Sequence, residues 1–429
     1  MMLSKPTYDP EIIKGSGIEE LSTNEITSKL NEYTTRYKGV FTNIAQKKYF
    51  QAYIQGLLSN LDRKSIEPIA FHFLNPKEVR GMQHFFKRST MLETELRSIY
   101  QNQLSKSISA AGGMLNIDGS DFAKKGKHSV GVARQYCGRL GKTENCQAGV
   151  FVSYASEKGY GLANGQLYIP KCWFEDDYAD RYKACGIPEK QTFKTKNKIG
   201  IEMIHQVIES KLFNIQWIGC DAAFGNDHHF LEALPDSIYF FAGIPANERI
   251  FRTWPTVHQA EDNQPATGRK RKYPRLEQTA ETVKDIANDE TIPWHEVILC
   301  EGAKGPIIAD VKYIRCIRCD TLTKKNNYLI PIADTWLYIR RYDNGDIKYF
   351  FSNAPAGIPI ERLHKASTMR WSIEQCFQEC KSYLGMSHYE SRTYHAWHRH
   401  MLMVMVSHLF TLELRLYYKK NAFSYHAYG

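Results

Sequence analysis

The chain has 429 residues, which is long enough for two or three domains and a sizeable buried core. Its hydrophobic content of 43% and its charged content of 24% exclude a disordered or collagen-like chain. With 56 Lys and Arg against 46 Asp and Glu, the formal net charge is +10, which permits a polyanionic partner without requiring one.

From the sequence we expect neither export nor membrane insertion. Residues 1–17 contain no apolar segment of the kind that defines a signal peptide. The longest apolar run, residues 401–410, is too short to span a bilayer and predicts a buried helix. Ten cysteines without a secretory signal favour free thiols in a reducing compartment. We therefore expect a cytoplasmic protein with no membrane partner.

Residues 1–110 are predicted to form a helical domain. Apolar residues recur at helical spacing in residues 49–61 and again in residues 91–100. Basic residues are dispersed among these helices, so the domain is interpreted either as a DNA-binding unit or as helices that pack only on one another. The basic residues are Lys47, Lys48, Arg63, Lys64, Arg80, Lys87 and Arg88.

Residues 111–244 are predicted to form the first part of an α/β unit. Three short apolar segments predict antiparallel strands. They are residues 114–117, 129–137 and 146–154. A helix near residues 199–208, a strand at residues 215–220, a further helix and a strand at residues 238–242 follow, and this order indicates one mixed sheet flanked by helices.

The character of the chain then changes twice. Residues 245–355 do not continue the alternation and are predicted to be a β-rich insertion with five strand-like segments. Those segments are residues 296–300, 306–314, 328–331, 336–341 and 348–351. Residues 356–429 become helical after Pro359 and are predicted to be the C-terminal helices of the α/β unit.

Three carboxylates occupy positions that suit metal-dependent chemistry. Asp118 and Asp221 each come at or just past the end of a predicted buried strand, although a single carboxylate there is more often a cap or a turn residue. Glu374 lies on a predicted helix beside Arg370 and Lys381, a row that is also typical of a solvated salt-bridge ladder. Three carboxylates on separate elements form a typical minimal cage for two Mg²⁺ ions, which prefer oxygen ligands.

Four segments surround these carboxylates with distinctive motifs. They are residues 117–138 (IDGSDFAKKGKHSVGVARQYCG), 145–155 (NCQAGVFVSYA), 217–227 (WIGCDAAFGND) and 370–385 (RWSIEQCFQECKSYLG). The chain from about residue 50 to about residue 410 resembles DDE-type bacterial insertion-sequence transposases. The resemblance implies a ribonuclease H-like fold with a β-rich insertion between the second Asp and the Glu. The 153 positions from Asp221 to Glu374 leave room for that insertion.

The resemblance also implies a set of functional residues. The implied catalytic triad, which would hold two Mg²⁺ ions with Mn²⁺ as an expected substitute, consists of Asp118, Asp221 and Glu374. Arg370 and Lys381 match the spacing of the family's Tyr-Arg-Glu-Lys signature and are implied to bind DNA phosphates. The tyrosine position of that signature is Ser367 in this chain.

The residues leave several alternatives open. Asp121 is the rival of Asp118 for the first carboxylate, and Asp118 is preferred because it directly follows the apolar run. Asp227 is a rival for the second carboxylate and is better explained as a helix cap. Three lysines that follow the first aspartate are interpreted either as contacts to the DNA backbone or as a solvated turn. They are Lys124, Lys125 and Lys127.

These features predict a cut-and-paste DNA transposase that binds the inverted-repeat ends of its element. It would hydrolyse a phosphodiester bond, expose a 3′-hydroxyl and join that hydroxyl to target DNA. We expect a homodimer in the DNA complex, located in the bacterial cytoplasm and associated with the nucleoid when it acts. Two alternatives are a non-catalytic DNA-binding protein descended from such a transposase and a stand-alone Mg²⁺-dependent nuclease.

Overall fold

The computed structural model describes most of the chain, namely residues 23–88, 93–260, 267–268, 270, 272–302, 305–323 and 328–425. Its dominant feature is one large mixed β-sheet flanked by helices, which confirms the predicted fold class. None of the helices formed by these residues combines the length and the apolar content needed to cross a membrane. The nine cysteines whose side chains are described are free thiols.

Five helices precede the sheet. They are α1 (Thr23–Thr35), α2 (Ile44–Leu58), α3 (Ile66–Phe73), α4 (Val79–Arg88) and α5 (Glu93–Ile108). Local capping determines where α2 starts, because the Asn43 side chain accepts a hydrogen bond of 2.9 Å from the backbone N–H of Gln46. The described residues between 23 and 108 are therefore mainly helical, as expected, and residues 1–22 of the predicted domain lie outside the described residues.

The sequence predicts three of the four strands that follow. The strands are β1 (Gly113–Ala123), β2 (Ala133–Cys137), β3 (Lys142–Ser156) and β4 (Gly159–Tyr168). β3 pairs antiparallel with β1 on one side and with β2 and β4 on the other. The sequence does not predict β4, because this segment contains several glycines, which are depleted in strands. Gly165 is required by packing, since a Cβ atom there would lie 2.5 Å from the Phe151 ring.

A helical segment and two parallel strands complete the central part of the sheet. The elements are α6 (Ala179–Ala184), α7 (Lys196–Glu209), β5 (Ile215–Cys220), α8 (Ala222–Gly225), α9 (His228–Glu232) and β6 (Tyr239–Ile244). β5 pairs in parallel with β1, and β6 pairs in parallel with β5. The central order is therefore β4-β3-β1-β5-β6 with β3 antiparallel to the others, which is the ribonuclease H-like arrangement.

The region after β6 extends the same sheet. Its elements are β7 (Arg249–Phe251), β8 (Val257–His258), β9 (Arg275–Leu276), β10 (Glu281–Thr282), α10 (Val283–Asn288), β11 (His295–Gly302), β12 (Gly305–Thr323), β13 (Tyr328–Arg341) and β14 (Ile347–Ser352). β14 pairs antiparallel with β6, and β13 and β12 follow outward from it. Most strands of the β-rich region therefore join the central sheet next to β6, whereas β8 and β9 form a separate two-stranded sheet.

Three helices return to the central strands, and they are α11 (Ile360–Met369), α12 (Ser372–Tyr383) and α13 (Tyr394–Tyr425). The sequence predicts one continuous helix in place of α11 and α12, and this prediction is wrong at Arg370 and Trp371, which form a turn. Asn116 of β1 holds the turn, since its Nδ2 donates to the Met369 carbonyl at 3.0 Å and to Ser372 Oγ at 3.1 Å. The break is thus a tertiary effect, without a local Gly or Pro.

The helices before the sheet pack against α13. Tyr33 Oη of α1 donates a 2.7 Å hydrogen bond to the Val406 carbonyl, and Tyr53 Oη of α2 lies 2.8 Å from His400 Nδ1. Apolar side chains of α1–α5, the central strands and α13 belong to one continuous hydrophobic core. The first and last elements therefore stabilise each other.

A buried polar cluster fixes α12 against β4 and α13. Glu379 accepts hydrogen bonds from Tyr160 Oη at 2.8 Å, from His408 Nε2 at 2.7 Å and from Arg415 Nη1 at 3.2 Å. Burial acts to raise the pKa of Glu379, but the hydrogen bond and charge of His408 and the charge of Arg415 lower it to about 2. Glu379 thus has a structural role on the helix that carries Glu374.

Glu379→Gln is expected to lower the free energy of unfolding by about 2 kcal/mol at pH 7, because hydrogen bonds to a charged group are lost. The pKa of Glu379 is lower in the folded state than in the unfolded state. Its contribution is therefore complete above about pH 4.3 and is lost as the pH falls toward 2. Urea unfolding followed by circular dichroism measures both effects.

The matched control is Glu390→Gln. Among the residues that the structure describes, Glu390 is in an ion pair with Arg63 alone, and both side chains are exposed. Exposed pairs contribute less than about 1 kcal/mol, so this variant is expected to unfold almost like the wild type. Equal losses in the two variants would contradict the structural role of Glu379.

Candidate active site

Asp118 and Asp221 lie side by side where β1 and β5 separate. The parallel pairing of these strands ends with Ile117 opposite Cys220, so each aspartate directly follows the last residue that is paired. Asp118 is still part of β1, whereas Asp221 lies just after β5. The prediction that Asp118 ends its own strand is wrong, because β1 continues to Ala123 through its pairing with β3. What ends at this point is the parallel pairing, and this brings the two carboxylates together.

The alternation of side chains along β1 separates Asp118 from Asp121. Residues an even number of positions apart share a face of a strand, so Asp118 lies on the face of Asn116, which contacts the turn between α11 and α12. Asp121 lies on the opposite face, where its Oδ1 is 3.9 Å from Lys196 Nζ at the start of α7. The geometry favours Asp118 as the carboxylate that shares a site with Glu374.

Arg370 connects Glu374 to the end of β5. Its Nη1 donates to Glu374 Oε1, and its Nε donates to the Cys220 carbonyl at 3.4 Å. Arg370 is 9% exposed, whereas the Glu374 side chain is 46% exposed. The guanidinium is therefore held within the protein, while the carboxylate has space to turn.

The three carboxylates and Arg370 form one electrostatic unit. Burial, followed by the charge of Asp221, raises the pKa of Asp118 to about 7. Burial also raises the pKa of Asp221, against the opposing charge of Arg370. Burial disfavours the Arg370 guanidinium, but Asp118, Glu374 and Asp221 outweigh it and raise its pKa. The site thus contains more negative charge than one arginine neutralises.

These groups line one open cavity of about 880 Å³. Asp118, Asp221, Arg370 and Glu374 contribute to its wall, and Trp371 from the turn is also exposed there. The cavity joins the ends of β1 and β5 to the start of α12. Charged side chains from these separate elements thus share one cavity that is open to solvent.

Two residues of the cavity wall, Arg340 and Tyr342, are missed by the sequence reasoning. Arg340 is 5% exposed, its Nη1 donates to the Ser367 carbonyl and to Ser367 Oγ at 3.2 Å, and its guanidinium lies 4.7 Å from the centre of the Tyr342 ring. Within the described residues, Arg340 Nε has no hydrogen-bond partner. The sequence around Arg340 predicts only a strand. Arg340 reaches the cavity because β13 pairs with β14 and β14 pairs with β6.

The donor set fits a divalent cation. Carboxylate oxygens are hard ligands, and a cation between Asp118 and Asp221 would relieve the repulsion that raises the pKa of Asp118. In the described part of the chain, no three Asp, Glu, His or Cys side chains already converge as a cage. Glu374 is instead paired with Arg370 and would have to turn toward the aspartates.

The predicted DNA-binding lysines do not line this cavity. Lys381 lies seven residues beyond Glu374, about 10 Å along α12, with its Nζ 5.7 Å from the centre of the Phe122 ring. Lys124 is half-buried and donates a 2.5 Å hydrogen bond to the Tyr389 carbonyl, and burial lowers its pKa to about 8. Lys125 and Lys127 are exposed in the loop after β1.

Asp227 has the capping role that the sequence favours. Its Oδ1 accepts hydrogen bonds from the backbone N–H groups of His229 at 3.0 Å and Phe230 at 3.3 Å at the start of α9. Asp221 also caps a helix, since its Oδ1 accepts from the Ala223 N–H at 3.1 Å. Asp221 thus both caps a helix and lines the cavity, whereas Asp227 caps a helix and does not line the cavity.

Comparisons with known proteins add an independent finding. Residues 36–306 match the sequence model of a family described as "DDE superfamily endonuclease", a match that includes Asp118 and Asp221 and ends before Glu374. The chain is also 25% identical over 223 residues to the "Probable transposase for insertion sequence element IS701" of Microchaete diplosiphon. This similarity covers 52% of the chain and 55% of the relative, so the chain spans about half the length of the curated relative it matches.

Proposed function

The chain belongs to the DDE superfamily of endonucleases, and from this premise we propose that it is an insertion-sequence transposase. The observation that supports this most strongly is the meeting of Asp118, Asp221, Glu374 and Arg370 in one open cavity. In the proposed reaction, a water oxygen bonds to the phosphorus at the element end and the bond to the 3′ oxygen breaks. The freed 3′-hydroxyl then attacks a target phosphodiester and displaces the 3′ oxygen of the target strand.

The residues of the cavity have separate proposed roles. Asp118 and Asp221 would hold divalent metal, with Glu374 as the third ligand, and we propose Mg²⁺ with Mn²⁺ as a substitute. When bound, two such ions would supply Lewis-acid chemistry that favours deprotonation of the attacking oxygen and stabilises the leaving oxygen. Arg370 and Arg340 carry fixed positive charges beside the carboxylates and would hold phosphate oxygens. No covalent link between protein and DNA is needed.

The remaining parts of the proposal concern partners. Double-stranded DNA is the proposed substrate, as element ends and as target, and α1–α5 are proposed to help bind it. The boundaries 1–110, 111–244, 245–355 and 356–429 are proposed as functional divisions of the chain. Because two element ends must be joined in one event, we propose a homodimer in the DNA complex. Action at the nucleoid of a bacterial cytoplasm follows from the same function.

The test is cleavage of duplex DNA that carries both ends of the element by the full chain. With Mg²⁺ or Mn²⁺ we expect breaks that leave 3′-hydroxyls at the element ends, followed by joined products with a supercoiled target. With EDTA in place of metal we expect neither product. Primer extension and gel analysis identify the break positions and the joined strands.

Two results would overturn the proposal in favour of its alternatives. Metal-dependent breaks without preference for the element ends and without joining would indicate a stand-alone nuclease. Specific binding to the ends with no cleavage in either metal would indicate a non-catalytic DNA-binding protein. Replacement of the ends by scrambled sequence of equal length is the control for specificity.

A further inference from the structure

A second cavity, of about 710 Å³, lies between the end of α4, the loop after β1, α6 and the start of α13. Five side chains of its wall carry permanent positive charge, and we refer to this cavity as the basic pocket. The five side chains are Lys87, Arg88, Arg181, Lys183 and Arg392. Asp180 is the one acidic residue of this wall, so positive charge dominates it.

Hydrogen bonds hold the segments of the basic pocket in fixed relation. The Val130 N–H donates to the Arg392 carbonyl at 2.9 Å, and the Tyr394 N–H donates to the Cys185 carbonyl at 2.9 Å. Cys185 Sγ also donates to the His128 carbonyl at 3.4 Å. The loop after β1, the end of α6 and the start of α13 are therefore tied together, and the cations they carry are organised before any ligand arrives.

The basic side chains of this pocket have no carboxylate partner among the described residues. In the part of the chain that the structure describes, none of the five side chains is in an ion pair with a carboxylate. Other surface cations are paired, for example Arg36 with Glu413 and Arg63 with Glu390. Like charges that are kept together repel each other, and a polyanion would relieve that repulsion.

We propose that the basic pocket binds phosphates of the backbone of duplex DNA. This rests on the proposed function, because it assigns a second contact to the same substrate. Five permanent cations line the wall and match the charge of phosphates, so the contact would be to the DNA backbone and independent of sequence. A single nucleotide carries its phosphates at one position, whereas a duplex offers a row of phosphates to the separate cations of the wall.

The position of the pocket relative to the active-site cavity suits this role. β1 runs from Asp118 to Ala123, which spans about 17 Å at a strand rise of about 3.3 Å per residue. The loop that follows contains the exposed Lys125 and Lys127 and then His128, which lines the basic pocket. DNA that is engaged at Asp118 and follows this direction would reach the pocket about five or more base pairs from the cleaved bond.

The test compares two double variants of the full chain that lose the same charge. Arg181→Gln with Arg392→Gln changes the basic pocket. Lys158→Gln with Lys211→Gln is the control. Both residues are exposed and lie outside α1–α5. Lys158 follows the end of β3 that pairs with the start of β1, and Lys211 precedes β5, so both are at the opposite end of the strands from Asp221. Fluorescence anisotropy with a duplex of about 30 base pairs, roughly three helical turns, measures affinity across a salt series.

The pocket variant is expected to bind DNA at least about tenfold more weakly and to reduce the slope of log affinity against log salt by about 2, because two phosphate contacts are lost. The control variant is expected to match the wild type in both.

Several outcomes would overturn the proposal. One is an affinity and salt slope in the pocket variant equal to those of the wild type. Another is tight binding of inorganic pyrophosphate to the wild-type pocket, by calorimetry, with no competition by duplex DNA. If the wild type cleaves element ends while the pocket variant binds them normally, this inference fails and the proposed function stands. If only the pocket variant loses DNA binding but the wild type never cleaves, the proposed function fails and the inference stands.

Discussion

Asp118→Asn, Asp221→Asn and Glu374→Gln are each expected to reduce DNA cleavage by roughly a thousandfold or more, equivalent to about 4 kcal/mol of transition-state stabilisation. Each change removes a negative oxygen ligand while the shape of the side chain is retained. Asn at position 221 can still cap α8, so a folding defect is not expected to account for the loss. End binding in anisotropy assays is expected to be unchanged.

The control for these variants is Asp121→Asn, because Asp121 lies on the opposite face of β1 and near Lys196. It is expected to cleave at close to the wild-type rate. An inactive Asp121→Asn protein beside an active Asp118→Asn protein would show that the wrong aspartate was assigned to the site.

The same variants have an expected signature in stability. In the metal-free protein, the pKa of Asp118 is higher in the folded than in the unfolded state, so its ionisation weakens the fold above about pH 4, with the full effect above about pH 7. Asp118→Asn is therefore expected to raise the melting temperature in EDTA at pH 8 and to change it little at pH 4. Mg²⁺ is expected to stabilise the wild type and not this variant.

Arg370→Met is expected to abolish cleavage and to lower the free energy of unfolding by about 3 kcal/mol, because it leaves buried carboxylates without their neutralising cation. Arg370 is 9% exposed and contacts both Glu374 and the Cys220 carbonyl. Arg370→Lys retains the charge but cannot grip a phosphate through two parallel N–H groups, so it is expected to be more stable than Arg370→Met and still impaired in cleavage.

Two measurements separate this role from a merely structural one. Mg²⁺ is expected to raise the melting temperature of Arg370→Met by more than that of the wild type, since a metal ion would replace part of the missing charge. The control is Arg341→Met, whose side chain is 41% exposed and pairs with Asp310 at the surface. If Arg370→Lys cleaves like the wild type, Arg370 does not hold a phosphate.

The sequence predicts a helix or strand correctly wherever a local pattern of apolar residues indicates which side chains are buried. The apolar runs before Asp118 and Asp221 predict two buried strands, and the structure pairs these runs in parallel so that both carboxylates meet at one point. The sequence does not predict β4, because its glycines disfavour a strand, and Gly165 is required there by the close approach of Phe151. Long-range packing determines that strand.

In the candidate site, too, local spacing predicts some contacts and long-range packing determines the others. Arg370 and Glu374 meet as helical spacing predicts, yet the turn between them depends on Asn116, which lies far away in the sequence. Lys381 shares their side of the helix but lies about 10 Å farther along its axis, a distance that a projection around the helix does not show. Arg340 reaches the cavity only through the pairing of three successive strands. The catalytic roles of these residues stay predictions.

The contact between α1–α5 and α13 has a consequence for synthesis of the protein. The nascent chain exposes the apolar faces of the first helices long before the ribosome completes Tyr394–Tyr425, against which they pack. At bacterial or slower elongation rates the delay is about 15–60 s. Contacts between such distant segments give a high contact order, which slows folding. We therefore expect the emerging chain to benefit from chaperones until α13 leaves the exit tunnel.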